Sequence, residues 1–543
     1  MVNRLWLGGR IWTMDQKCPR ASVLAARGPR LVYVGASPLE AAALLEGPFE
    51  TIELEGRTVI PGLIDSHAHL VHEGLRLGML DVQGLTKEEA LEAVREKART
   101  LPKGTWIHGR GWDQNLWLPA RWPAKTELDR AAPDHPVVLD RVDKHTIWVN
   151  SRALAQADPK VFGPDPEGGE ILRETNGQPR GILIGRAMFL VYQSMPPLDG
   201  CDHLETILLA QQELLSCGLT TVIDAGTSRA DWETVRTGLE AGLIKLRFRA
   251  YAHLLAWPET GEIQKADGLY DDHLALDGIK LFSDGSLGSR SAWLSEPYSD
   301  QSGHTGHHNY DDRTLVKLMA LAREKDLQAA IHVIGDAAVG QAVRVIEKVL
   351  GSKPTGRHWR LEHYQVVSGS DRAKVLAMGL IPSIQSTGLM TDIHMAEDRL
   401  GPQRLKRAYA WRDIIDRGGY IINGSDCPVE PVNPFWGMDA AVTRQDLQGR
   451  PPGGFMPSQA LSRWEALASY TLWGARAAFQ EDNIGVLKPG LLADLAIVDR
   501  DIMECPDRDL PGTQVLETVI GGETVYESQP GTANSGGSGS NKL

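Results

Sequence analysis

The chain has 543 residues, of which 42% are hydrophobic and 23% charged, a composition that can bury large cores and excludes disorder for most of its length. Its 57 basic and 70 acidic side chains leave a formal charge of −13 with no basic run to offset it, so nucleic acid and anionic membrane are poor partners. The 5 cysteines are scattered without a CxxC pair, which argues against a disulfide framework and a cysteine zinc site. The N-terminus lacks a secretory pattern and no apolar run approaches about 20 residues, so a cytoplasmic location is expected.

In chain order, short apolar runs broken by Gly and Asp turns (LWLGGRIWTMD, RLVYVGA, FETIELEGRTVIPG) predict small antiparallel strands at the start. Similar runs, LLADLAIVDRD and TVIGGETVYES, return near the other end. Segments 1–58 and 480–528 are therefore expected to share one small β-sandwich. Between them, eight strand-like runs alternate with helical periodicity: VIPGLIDSHAH, GLTTVIDAG, LRFRAYAHL, GIKLFSDG, QAAIHVIGD, WRLEHYQ, LIPSIQS and YIINGSDCP. They predict an α/β fold built on a closed (β/α)8 TIM barrel over 59–479. The helix after the fifth run is the clearest, with Val339, Ala342, Val343, Ile346, Val349 and Leu350 at three- and four-residue steps before Gly351.

Roughly 150 residues separate the first two runs, too many for an ordinary connection, so 75–195 reads as an inserted substructure. It carries Trp106, Trp112, Trp117 and Trp122 among the chain's 15 tryptophans, and two readings stay open: core packing, or an aromatic lid over the site. Residues 529–543 are rich in Gly and Ser and read as a flexible tail or linker.

His67 and His69 end an apolar strand, and residues two apart on a strand share a face. With 16 histidines in the chain, chance supplies about half an occurrence of His-x-His, so the pair is weak alone. Lys280, His332, His363 and Asp426 also lie in or just past strand-like runs, and the strand ends of a barrel surround one mouth. Lys280, between Ile279 and Leu281, is a costly buried charge unless paired or altered. Burial favours its neutral amine, which can add carbon dioxide to become a carbamate. A salt bridge to Asp284 or Asp426 is the alternative.

These residues sit within motifs that resemble the amidohydrolase superfamily, in its amidohydrolase-3 branch of YtcJ-like proteins and N-substituted formamide deformylases. The likeness spans nearly the whole chain and includes PGLIDSHAHL, GRGWDQNLW, LDRAAPDHPVVL, HTIWVNSRAL, GIKLFSDGSLGSRSA, IHVIGD, EHYQ, AEDRLGPQR, GSDCPVEPVNP and IGVLKPGLLADLAIVD. It implies a barrel, a β-sandwich from both chain ends, and two divalent metal ions. His67, His69 and Asp426 would hold the first, His332 and His363 the second, with Lys280 bridging as its carbamate. Zinc is favoured over manganese or iron.

The implied reaction is hydrolysis of linear C–N bonds in amide, N-formyl, N-acyl or carbamate compounds by a hydroxide on the metals, with Asp426 as general base and acid. Ester, lactone or phosphotriester hydrolysis is the alternative on the same centre, and a non-catalytic scaffold a more distant one. A small-molecule substrate is expected, with homo-oligomerisation left open.

Arg290, in the turn DGSLGSR, could meet a substrate or brace its loop through a salt bridge. Trp112, Asp113 and His145 from the insertion, and Gly388, are further substrate-contact candidates. His304, His307 and His308 read as a surface loop, and Cys427 as packing behind Asp426. Where relatives usually show Pro and then His after the Gln ending the seventh strand, this chain has Ser386 and Gly388. Ala337, Ala338 and Val339 follow Asp336 in place of the usual Arg-Ala-Asn, and Lys144 replaces a usual Gly. The smaller, more apolar replacements imply a widened pocket.

Overall fold

The computed structural model describes residues 2–141, 146–166, 169–195, 203–257, 259–352 and 356–529. Two compact units emerge, one of 1–73 with 210–530 and one centred on 74–209.

The first unit contains the barrel. Its eight parallel strands are Leu63–Ala68, Leu219–Thr227, Arg247–His253, Leu274–Phe282, Gln328–Val333, Arg360–His363, Ile381–Ile384 and Ile422–Asn423, each hydrogen-bonded to the next in chain order. All eight overlap the runs picked out from the sequence, six lying wholly within them, while Leu219–Thr227 extends one residue past its run and Leu274–Phe282 begins four residues before its run. Both faces of the strands are covered, and Leu63–Ala68 and Ile381–Ile384 are buried throughout. In the helix Asp336–Leu350 the expected face, including Val339, Ala342, Val343 and Ile346, is buried, and Gly351 ends it at φ 85°.

The barrel closes through loop hydrogen bonds between its last and first strands. No β-ladder joins the two-residue eighth strand to the first among the described residues. Instead Asp426 N donates to His67 O at 2.6 Å and His69 N to Cys427 O at 3.0 Å. The Asp65 carboxylate adds a clasp, accepting from His67 N at 3.0 Å, Ser425 N at 3.1 Å and Ser425 Oγ at 2.6 Å. Burial outweighs these bonds and raises the Asp65 carboxyl to about 6. The seam is thus held by the same short segments that carry His67, His69 and Asp426.

Both chain ends build one eight-stranded sheet, in which Thr58–Pro61 pairs antiparallel with Leu495–Val498. Trp6, Ile11, Leu24, Leu495, Ile497 and Val519 pack together on it. A buried ion pair ties the sheet to the third barrel strand, with Arg247 Nε 2.6 Å and Nη2 3.1 Å from the Asp494 carboxylate.

The second unit has a six-stranded sheet made of Gly169–Arg173, Pro179–Gly185, Thr146–Val149, Val137–Arg141, Ile107–Trp112 and Leu80–Asp81, in that order. Trp112 is its centre, with ring centroids of Trp117, Trp122 and Trp148 at 5.8, 6.1 and 6.0 Å. Leu128, Val137 and Leu139 complete the cluster. The buried indoles of this cluster keep their N–H groups satisfied: Trp112 donates to Leu139 O at 2.7 Å, Trp117 to Leu85 O at 3.1 Å and Trp148 to Ala124 O at 3.1 Å. Of the two readings of the tryptophans, core packing describes Trp112 and Trp117. Among the described residues no helix is long and apolar enough to cross a membrane.

Candidate metal centre

His67 and His69 leave the end of the first strand on one side, and the turn after the eighth strand brings Asp426 to meet them. Asp426 Oδ1 lies 3.1 Å from His69 Nε2 and 3.4 Å from His67 Nε2. One ligand atom from each of the three residues fits within 4.8 Å of the others. Asp426 has φ 57°, a left-handed conformation that costs a non-glycine residue free energy and persists only where its surroundings hold it. The seam hydrogen bonds supply that restraint.

Lys280 enters from the fourth strand with only 2% of its surface exposed. Its Nζ lies 3.0 Å from His67 Nε2 and 5.0 Å from the centre of the Phe282 ring. Burial lowers the amine to about 8, against the pull of Glu362 and Asp426. Asp284, one of the two partners considered for Lys280, is occupied elsewhere: its carboxylate accepts from the backbone N–H groups of Trp293, Ile334 and Gly335 at 2.9, 3.0 and 2.8 Å. Burial raises Asp284 to about 7 despite those bonds.

His332 and His363, from the fifth and sixth strands, have ring centroids 4.3 Å apart, and His363 lies 5.1 Å from His67. Strict alternation would turn His363 away from the face of Glu362, but its φ of 69° breaks the strand there and re-aims the ring. His332 Nε2 donates to Gly285 O at 3.2 Å, which leaves Nδ1 with the lone pair. Burial lowers His67 to about 4 and His363 to about 3, and moves His332 the same way. Burial alone would raise the Asp426 carboxyl, but His67, His69 and His363 hold it below the usual range. At neutral pH His67, His332 and His363 are therefore neutral imidazoles beside a carboxylate, and with His69 they make the donor set of a divalent metal, which the residues fit.

The structure thus gathers His67, His69, Lys280, His332, His363 and Asp426. Of the expected substrate contacts, Arg290, Trp112 and Asp113 have partners within the protein. Arg290 forks onto Asp300 at 3.1 and 2.8 Å and Arg399 shares that carboxylate, so Arg290 braces its loop. Trp112 lies wholly inside the second unit's core, and Asp113 pairs with Arg141 at 2.8 Å. His145 and Lys144 lie outside the described residues. Gly388 opens the short helix Gly388–Asp392, where a Cβ would meet Glu430 Oε1 at an ordinary 3.8 Å. His304 Nε2 donates to Arg290 O at 2.7 Å and His308 packs against Trp293, while Cys427 is fully buried beside Asp426.

Two residues escaped the sequence reading. Glu362, fully buried, accepts from His67 Nδ1 and pairs with Arg360. Its signal was present, since opposite charges two apart in the apolar run WRLEHYQ must share one buried face. His253 ends the third strand in register with Lys280, its ring 5.7 Å from Phe282. Like the other histidines it closes a strand-like run, LRFRAYAHL.

The barrel and its donor set together define a protein of the metal-dependent hydrolase type. The family model described as the amidohydrolase family matches residues 50–526, and the chain belongs to that family. It is 33% identical over 534 residues to YtcJ of Bacillus subtilis (strain 168), covering 97% of this chain and 100% of the relative. To the N-substituted formamide deformylase of Arthrobacter pascens it is 25% identical over 546 residues, covering 97% and 99%. A solved structure of an uncharacterised metal-dependent hydrolase from Pyrococcus furiosus superimposes with a TM-score of 0.77 at 29% identity, over 92% of this chain and 100% of that one.

Proposed function

We propose that this protein is a zinc-dependent amidohydrolase that cleaves linear C–N bonds in N-formyl, N-acyl or carbamate compounds. The observation that carries the reading is the convergence of His67, His69 and Asp426 with the Lys280 amine 3.0 Å from His67 Nε2. His67, His69 and Asp426 would hold one ion and His332 and His363 a second, with Lys280 between them as its carbamate. Imidazole nitrogen and carboxylate oxygen suit zinc. When bound, the metals supply a lowered pKa for water and polarisation of the scissile carbonyl.

The remaining work falls to the chain. Burial keeps imidazole lone pairs available by disfavouring protonation at His67, His332 and His363, while His69 Nε2 lies 3.1 Å from Asp426 Oδ1. Addition of carbon dioxide to the neutral Lys280 amine forms an N–C bond and releases one proton, so an amine that burial penalises when charged becomes a pair of anionic oxygens. Asp426, with 15% of its side chain exposed beside a fully buried His67, is the carboxylate that substrate can reach. It takes the proton of the attacking water and returns it to the leaving nitrogen, the task of a general base that becomes a general acid. The likeness to a formamide deformylase supports the choice of a C–N bond.

The test is a metal analysis joined to a substrate panel. Purified protein is expected to carry about two divalent ions per chain and to lose them on Lys280→Ala. With zinc and bicarbonate present, formamides, anilides and carbamates should turn over ahead of lactones and aryl esters. Protein that neither contains nor responds to metal overturns the reading, and turnover confined to esters reassigns the bond.

A further inference from the structure

We propose that Glu362, charge-paired with Arg360 inside the barrel, is a positioning residue that sets the tautomer and aim of His67. The proposal rests on the metal-centre reading, and concerns a residue that never reaches substrate. His67, Arg360 and Glu362 are at most 1% exposed, so solvent cannot orient any of them. Glu362 Oε2 meets His67 Nδ1, and a carboxylate can only accept there, so Nδ1 carries the hydrogen and Nε2 keeps the lone pair. That bare Nε2 is the atom beside Lys280 Nζ and Asp426 Oδ1, at 3.0 and 3.4 Å.

Arg360 makes the arrangement self-supporting. It lies two residues before Glu362 on the same strand face and forks onto it, Nε to Oε1 at 2.8 Å and Nη2 to Oε2 at 3.2 Å. The same guanidinium also reaches Ser66 O, the residue before His67, and Ser383 Oγ on the seventh strand at 3.3 Å. It packs 4.9 Å from the centre of the Tyr251 ring, whose hydroxyl donates to Gln328 Oε1 at 2.6 Å. Third, fifth, sixth and seventh strands thus all brace one carboxylate against one imidazole. Carboxylates that orient ligating histidines in this way typically contribute 10–100-fold in metal affinity.

Three variants separate positioning from folding. Glu362→Asp keeps the charge for Arg360 but withdraws it from His67 by one methylene. Glu362→Gln removes the anion, and Arg360→Met with Glu362→Gln removes both charges so that no unpaired cation remains. Zinc affinity is read by competition with a chelator, and the His67 tautomer of metal-free protein by nitrogen NMR of histidine-labelled chain, assigned by its loss in His67→Gln. The wild type should show the Nδ1–H tautomer. All three variants should bind zinc about 10–100-fold more weakly, and the two glutamine variants should show a shifted tautomer, with turnover recovering as zinc is raised.

Zinc affinity within about threefold of wild type in the folded double variant, or an unchanged tautomer there, overturns the proposal. Should wild type bind no divalent metal, the proposed function fails, and the tautomer measurement alone then decides for or against Glu362.

Discussion

Exchanging Lys280 for methionine separates what the residue costs the fold from what it contributes to the site. Burial moves the amine from its usual 10.5 to about 8, which at about 1.4 kcal/mol per pH unit makes the buried charge cost about 3 kcal/mol at neutral pH. The sign follows from where the proton resides. Below pH 8 the amine is charged in both folded and unfolded chains, and the fold bears the full cost. Between pH 8 and 10.5 the unfolded chain alone retains the proton, so stability rises with pH, and above 10.5 the gain is complete.

Metal-free Lys280→Met, nearly isosteric and uncharged, should therefore be more stable than the metal-free wild type at pH 7 by up to about 3 kcal/mol. The gap should close as pH rises toward 10.5. Urea unfolding of both proteins in chelator at several pH values measures it, while metal analysis and turnover of the metal-loaded protein should both collapse in the variant. A less stable variant at pH 7, or a gap that does not change with pH, would refute the account of Lys280 as a penalised buried amine.

Asp426→Asn should retain substantial metal while turnover falls about 10²–10⁴-fold, and equal loss of both would make Asp426 chiefly a ligand. Asp494→Ala strands Arg247, 4% exposed, between barrel and end sheet, and should cost about 3–5 kcal/mol in denaturant unfolding; a loss below about 1 kcal/mol would contradict the buried pair. Trp112→Ala should destabilise the second unit by about 3–5 kcal/mol, whereas an intact melting transition with a raised KM would return the indole to the substrate.

Much was legible in the one-dimensional pattern. Short strand-like runs alternating with helical periodicity announced the eight barrel strands, because strands covered on both faces are rich in apolar residues without strict alternation. The metal-type residues could be named because each interrupts or ends such a run, where a polar side chain needs a reason to be. The tryptophans of the insertion were ambiguous for the converse reason, since large aromatics serve cores and ligands alike, and only the ring contacts among Trp112, Trp117, Trp122 and Trp148 distinguish the uses.

The sequence by itself thus determined the strand count and the side chains that could ligate. Tertiary structure decided which of their atoms meet. Glu362 finds His67 across 295 residues, and Asp65 finds Ser425 across 360. The left-handed turns at His363 and Asp426 are imposed by packing against the reluctance of their own backbones. Periodicity records how often an apolar side chain recurs along the chain; it holds no record of which nitrogen faces which carboxylate once eight strands have curled into a ring.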